Sequence, residues 1–130
     1  MDRQAFYDAI DFGNDVLRLV QTLPPSCPFV RLLMTYAVKA GSEASVKQIL
    51  NSGAYILGAD RYQVKNYKDV IKMSIVDRHE SMVKTLMNEQ SMTCTKEVAG
   101  EIWEEMNEPD CEYFLSIINS MAGYRGFSHI

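Results

Sequence analysis

The sequence predicts an all-α fold in which about four helix–turn–helix units stack side by side. A small residue recurs at similar intervals, at Ala9, Ala37 and Ser74. We call these three small residues the marks of the units. A turn residue lies four positions after each mark, at Gly13, Gly41 and Arg78. An apolar stripe with steps of three and four follows each turn, which places the stripe on one face of a second helix. Because one helix pair cannot bury its apolar face alone, we expect the units to stack into an α-solenoid.

The N-terminal half contains the first two units. The large apolar residues that precede their marks are Phe6 and Met34. Their second-helix stripes are Val16, Leu19, Val20, Val46, Ile49 and Leu50. The connection between them, residues 22–28, is short and rich in proline, which leaves few N–H groups for a β-hairpin. We therefore expect no projecting β-hairpin, which we call a finger loop, between these two units.

The C-terminal half contains two less regular units. Their large apolar first-helix residues are Ile71 and Trp103, and their stripes are Met82, Val83, Leu86, Phe114, Leu115 and Ile118. In the last unit we place the mark at Met106 and the turn residue at Asp110, with Pro109 starting the second helix. Residues 123–130 contain two glycines and no helical period. We therefore expect one domain over residues 1–122 and a flexible tail over 123–130.

Two segments resemble the ankyrin-repeat family. In GSEASVKQILNSGAYI (41–56), a glycine ends the first helix, a V-V-x-x-L-L-like stripe follows, and G-A opens the connecting loop. RHESMVKTLM (78–87) is similar, with His79 where the family usually has histidine and Arg78 in place of the usual glycine. The family's T-P-L-H signature is absent. The resemblance implies an ankyrin-like stack with reduced finger loops, acting as a non-enzymatic protein–protein interaction module, an intracellular adaptor or regulator.

In the ankyrin architecture, the exposed first-helix residues and the fingers line the binding face. The resemblance therefore implies first-helix contacts at Phe12, Lys39, Val76 and Asp77, beside Asp11 and Ala40. The overlong link between units two and three is predicted as a mobile finger carrying Asp60, Arg61, Tyr62, Lys65 and Tyr67. Tyrosine and arginine dominate the energetics of many interfaces, so this finger is a candidate interaction edge. The alternative is a solvated loop that packs back on the neighbouring units.

An acidic run marks the last unit. It comprises Glu97, Glu101, Glu104, Glu105, Glu108, Asp110 and Glu112, with no basic residue between them. Helical spacing predicts that the glutamates from Glu97 to Glu108 share one face. This face is a candidate site for a basic surface of a partner. The alternatives are a solvated outer face of a terminal repeat, or the carboxylates of a small all-α enzyme, which would converge in a pocket.

Composition also bears on the class of partner and on the cellular compartment. The net charge of −4, without a basic stripe, argues against nucleic acid as a partner. No apolar run approaches the ~18 residues of a membrane span, and the N-terminus does not read as a secretory signal. Three widely spaced cysteines fit reduced thiols in the cytoplasm, with the nucleus as an alternative.

Ligand chemistry is not indicated either. The cysteines and histidines lack the spacing of zinc ligands, and no phosphate-binding glycine loop occurs, so we expect no metal and no cofactor. We expect a monomer or a weak homo-oligomer, with an obligate oligomer that caps its own ends as the further alternative. By analogy alone, a small divergent ankyrin protein also fits a viral or microbial factor that binds a host protein.

Overall fold

The computed structural model describes residues 3–25, 27–55, 61–88 and 96–121, and all its regular elements within these ranges are helices. The helices are α1 (Arg3–Asp11), α2 (Leu17–Gln21), α3 (Pro28–Lys39), α4 (Glu43–Asn51), α5 (Arg61–Val76), α6 (Glu80–Asn88), α7 (Lys96–Glu104) and α8 (Glu108–Ile118). The predicted all-α class is confirmed. Asp60 and the predicted tail lie outside the described residues.

The helices contact one another in two layers. In one layer α1 contacts α3, α3 contacts α5, and α5 contacts α7; in the other, α2 contacts α4, α4 contacts α6, and α6 contacts α8. We call these the first-helix layer (α1, α3, α5, α7) and the second-helix layer (α2, α4, α6, α8). The apolar stripes of both layers bury the core between them. None of the helices in the described ranges is long and apolar enough to cross a membrane.

Three turns between paired helices share one geometry. In these turns the residue with positive φ is Gly13 (69°), Gly41 (73°) or Arg78 (57°). In each turn the carbonyl of the small mark accepts the N–H of the residue five positions later, in the bonds Asn14–Ala9 (2.8 Å), Ser42–Ala37 (3.0 Å) and His79–Ser74 (2.9 Å). This is the Schellman pattern that ends a helix on a left-handed residue. The marks themselves are buried, with exposures of 8%, 0% and 1%. The predicted register of the first three units therefore holds.

The fourth unit departs from the prediction. Met106 lies after the end of α7 rather than inside it, and Asp110 lies in the first turn of α8 rather than in the connection. Asn107 caps α8 by accepting the N–H of Asp110 at 3.2 Å, and Pro109 occupies the first helical turn as expected. The residue two positions before the end of α7 is the fully buried Ile102, which is equivalent to the three small marks. Because isoleucine is large, a pattern of small residues in the sequence does not reveal this position.

The predicted finger loop is wrong from Arg61 onward. α5 begins at Arg61 and continues for 16 residues, so Arg61, Tyr62, Lys65 and Tyr67 are helical. Tyr67 is 1% exposed, and its hydroxyl donates to the carbonyl of Leu86. The physical reason is a helical stripe, which continues upstream of Ser74 at steps of three and four through Gln63, Tyr67, Val70 and Ile71. The helix therefore buries Tyr67 where a loop would have exposed it.

Candidate protein-interaction surface

Exposed apolar side chains concentrate on one layer of the structure. Within the described ranges, the large hydrophobic residues that stay exposed are Phe12 (77%), Leu32 (51%), Tyr62 (54%) and Val76 (59%). Leu32, Tyr62 and Val76 lie on α3 and α5, and Phe12 directly follows α1. Isolated exposed apolar residues are common, but their restriction to one layer distinguishes the two faces of the molecule. The first-helix layer is therefore the candidate surface.

The C-terminal ends of three first helices form the first part of this surface. The residues two and three positions after the buried marks are all exposed: Asp11, Phe12, Lys39, Ala40, Val76 and Asp77. Because the three turns share one geometry, these pairs occupy equivalent positions along the stack. The exposure expected for Phe12, Lys39, Val76 and Asp77 is thus found, and their role in binding stays a prediction.

A groove between α3 and α5 forms the second part. It has a volume of about 280 Å³, and its lining residues are Arg31, Leu32, Thr35, Tyr62, Lys65, Asn66 and Asp69. Asn66 ties the two helices together, because its amide donates to the hydroxyl of Thr35 at 3.1 Å. The carbonyl oxygen of the same amide accepts from the Tyr55 hydroxyl at 2.8 Å. We call this feature the α3–α5 groove.

Sequence reasoning missed the α3 side of the groove. Leu32 is apolar yet lies outside the buried stripe of α3, which runs through Phe29, Val30, Leu33 and Met34. An apolar residue on the outward face of an amphipathic helix is the signal that would have identified this site. Arg31, beside it, carries a positive charge to the same groove.

Two guanidinium groups flank one aromatic ring at the groove. The Cζ atom of Arg31 lies 5.5 Å from the centroid of the Tyr62 ring, and that of Arg61 lies 5.0 Å from it. Arg61 also donates to the Tyr62 hydroxyl at 3.0 Å. Cations within about 6 Å of a tyrosine ring are attracted to its face. Tyr62 is thereby held as a half-exposed ring with two positive charges close to it.

The acidic run is partly neutralised by α5. Lys68 lies 3.2 Å from a carboxylate oxygen of Glu101, and Lys72 lies 2.6 Å from one of Glu105. The hydrogen bond from Lys72, and then its charge, lower the pKa of Glu105. Burial lowers the pKa of Lys72, but its contacts with Glu105 and Asp69 outweigh burial and raise it overall. These carboxylates therefore join the third and fourth units.

The acidic residues do not form the single face that was predicted. α7 ends at Glu104 and Asn107 caps a new helix. Glu108 therefore belongs to α8 and does not continue the face of α7. Glu97, Glu101, Glu104, Glu105 and Glu108 are nevertheless all exposed. The break arises because the turn at residues 105–107 interrupts the helical period.

A cleft at the end of α7 bears on the enzyme alternative. Its volume is about 470 Å³, and it is lined by Trp103, Glu104, Met106, Glu108 and Cys111. Burial raises the pKa of the Cys111 thiol, and the charges of Asp110 and Glu108 raise it further. A raised pKa favours the thiol over the nucleophilic thiolate. The cleft thus contains two glutamates in its lining but disfavours Cys111 as a nucleophile.

Across the part of the chain that the structure describes, no group of three or more His, Cys, Asp or Glu side chains is arranged to hold a metal ion.

No family model, no curated protein and no solved structure matches the chain.

Proposed function

We propose that this chain is a non-enzymatic protein-interaction module whose first-helix layer binds another protein. The observation that carries the proposal is the placement of all four exposed large hydrophobic residues of the described ranges on, or directly after, first helices. Large exposed apolar residues that occur on one layer and not on the other favour contact with another protein on that layer. In this proposal the chain acts as an intracellular adaptor or regulator. One such adaptor would be a viral or microbial factor that binds a host protein.

The proposal includes an ankyrin-like arrangement of the helix pairs. It is supported by the order of helix contacts within each layer and by the three turns of equal geometry. In stacked repeats, equivalent positions of successive units form one continuous surface, which suits recognition of an extended partner. The exposed glutamates of the last unit lie on α7, on α8 and in the turn between them, and their negative charge suits a basic part of the partner: Glu97, Glu101, Glu104, Glu105 and Glu108.

Partner capture with matched variants tests this function. One tagged variant replaces the four exposed apolar residues by serine: Phe12→Ser, Leu32→Ser, Tyr62→Ser and Val76→Ser. The control replaces one exposed residue on each second helix: Arg18→Ser, Lys47→Ser, Asn88→Ser and Glu112→Ser. From an extract of the native cell, the wild type and the control should retain the same partner, and the first variant should lose it. Equal retention by both folded variants contradicts the proposal.

The second candidate is a small all-α enzyme, and the cleft lined by Glu104 and Glu108 is the observation that favours it. A ligand screen by thermal shift tests it, because a ligand that binds only the native state raises the melting temperature. A hit that is lost in both Glu104→Gln and Glu108→Gln supports the enzyme. The interaction-module proposal expects no such hit.

A further inference from the structure

Four cations follow one side of α5, at positions separated by four, three and four residues: Arg61, Lys65, Lys68 and Lys72. Residues at this spacing lie along one side of a helix. The two in the C-terminal half are matched by α7 and the turn after it, since Lys68 pairs with Glu101 and Lys72 with Glu105. The chain itself therefore shows which partner suits this row of cations. It is an acidic protein segment, here one glutamate on α7 and another in the turn that follows it.

The N-terminal half of the row has no such partner. Among the described residues, neither Arg61 nor Lys65 forms an ion pair with a carboxylate, and Arg31 on α3 forms none either. Arg31, Tyr62 and Lys65 line the same groove, and Arg61 is held on the ring of Tyr62. Asp69 also lines the groove, but it is paired with Lys72 at 3.4 Å, so Arg31, Arg61 and Lys65 leave a net positive charge that attracts anionic groups. The α3–α5 groove is thus electrostatically complementary to carboxylates.

The groove is apolar as well as cationic. Leu32 and Tyr62 are both more than half exposed at its lining, although each carries a large apolar surface. A purely ionic ligand would leave this surface in water. An apolar side chain among the carboxylates of the ligand would cover it and gain the stabilisation of burial. The combination distinguishes an acidic protein segment from a simple polyanion.

Resting on the proposed function, we propose that the α3–α5 groove binds an acidic segment of the partner protein. Carboxylates of the segment contact Arg31, Arg61 and Lys65, and an apolar side chain of the segment packs on Leu32 and Tyr62. A nucleic acid fits less well, because its phosphate backbone would continue along the row of cations beyond Arg61 and Lys65, where Glu101 and Glu105 already pair with the neighbouring lysines. Their negative charges would repel a continuous phosphate backbone.

Fluorescence polarisation with defined peptides tests the proposal on the full chain. The probe is a fluorescein-labelled peptide of repeated Glu-Glu-Leu-Glu sequence, compared with Gln-Gln-Leu-Gln and Glu-Glu-Ser-Glu peptides of equal length. The acidic leucine peptide should bind saturably, and both comparison peptides should bind at least about tenfold more weakly. Raising the salt from about 0.05 to about 0.2 M should weaken the binding, because screening reduces attraction between charges.

Two double variants locate the site. Arg61→Ala with Lys65→Ala should weaken binding of the acidic leucine peptide about tenfold or more. Arg18→Ala with Lys47→Ala removes one arginine and one lysine from exposed positions of the second-helix layer, and it should leave the affinity within about twofold. Absence of saturable binding overturns the proposal, as does equal weakening by both double variants. Displacement of the peptide by an equal concentration of oligouridine also overturns it, since the groove would then select any polyanion.

Failure of this inference is distinguishable from failure of the proposed function. If the acidic peptide does not bind but partner capture still depends on the four exposed apolar residues, the inference falls and the function stands. If the peptide binds the groove but partner capture is equally retained by both serine variants, the proposed function falls, and with it the assignment of the groove to that partner.

Discussion

The guanidinium group of Arg78 lies 2.8 Å from the carboxylate of Asp110, and this pair joins the turn of the third unit to the first turn of α8. Arg78 has a φ of 57°, a conformation that glycine adopts at the equivalent positions. Its side chain also donates to the Ile75 carbonyl at 2.7 Å and lies 4.7 Å from the centroid of the Tyr113 ring. The contacts of the side chain therefore offset the strain of its backbone.

Two substitutions at Arg78 separate these effects. Both Arg78→Ala and Arg78→Gly remove the side-chain contacts, but only alanine retains the left-handed strain of about 1–2 kcal/mol. We expect both to destabilise the fold, with the glycine variant about 1 kcal/mol more stable than the alanine variant. Urea unfolding midpoints measure the difference. An alanine variant as stable as the glycine variant would show that the turn tolerates a side chain without strain.

Ala37 tests the repeat register. It is fully buried in α3, where a larger side chain would push neighbouring helices apart. Ala37→Leu should lower the free energy of unfolding by about 1–3 kcal/mol through overpacking. The control is Ala40→Leu, which enlarges an exposed residue three positions later and should change stability by less than about 0.5 kcal/mol. Equal stability of the two variants would disprove the assignment of Ala37 to the helix–helix contact.

Local periodicity was sufficient to predict the first three marks and their turns, because each mark is followed by a glycine or a tolerated substitute at a fixed distance. It failed at Tyr67, since tyrosine, arginine and lysine occur both in binding loops and on amphipathic helices. It failed again in the fourth unit, where Ile102 replaces a small residue and a capping asparagine replaces the left-handed turn. The α3–α5 groove depends on which helices pack together, and Leu32 and Tyr62 are far apart in sequence.

The hydroxyl of Tyr67 provides a test of its corrected position. It donates to the carbonyl of Leu86 in the buried interior, so Tyr67→Phe should cost about 0.5–1.5 kcal/mol of stability. Tyr62→Phe is the matched control, since that hydroxyl is exposed and its loss should change stability by less than about 0.5 kcal/mol. Thermal or urea unfolding distinguishes the two. The reverse order would place Tyr67, rather than Tyr62, at the surface.

The Lys72–Glu105 pair predicts a pH dependence of stability. The pKa of Glu105 in the folded chain lies below its ordinary value of 4.5. The stabilisation by this carboxylate is therefore complete above the pKa of the unfolded chain and is lost as the pH falls through the folded pKa. The stability difference between wild type and Glu105→Gln should shrink as the pH is lowered from about 6 to below about 4. Because Glu105 is half exposed, we expect a small effect.

Urea unfolding of both proteins at several pH values measures this difference. Glu97→Gln is the control, because it removes an exposed glutamate that forms no ion pair within the described residues. A stability difference for Glu105→Gln that grows as the pH falls would contradict the role of the pair.

Site-specific photocrosslinking in the native cell tests most directly whether the first-helix layer is the interaction surface. The photoreactive residue p-benzoylphenylalanine is placed singly at positions 62 and 76, on the first-helix layer, and at positions 47 and 112, on the second-helix layer. All four positions are exposed, so the label is accessible at each of them. The account predicts adducts of one common partner from positions 62 and 76 and none from 47 and 112. Adducts from positions 47 and 112, with none from 62 and 76, would contradict it.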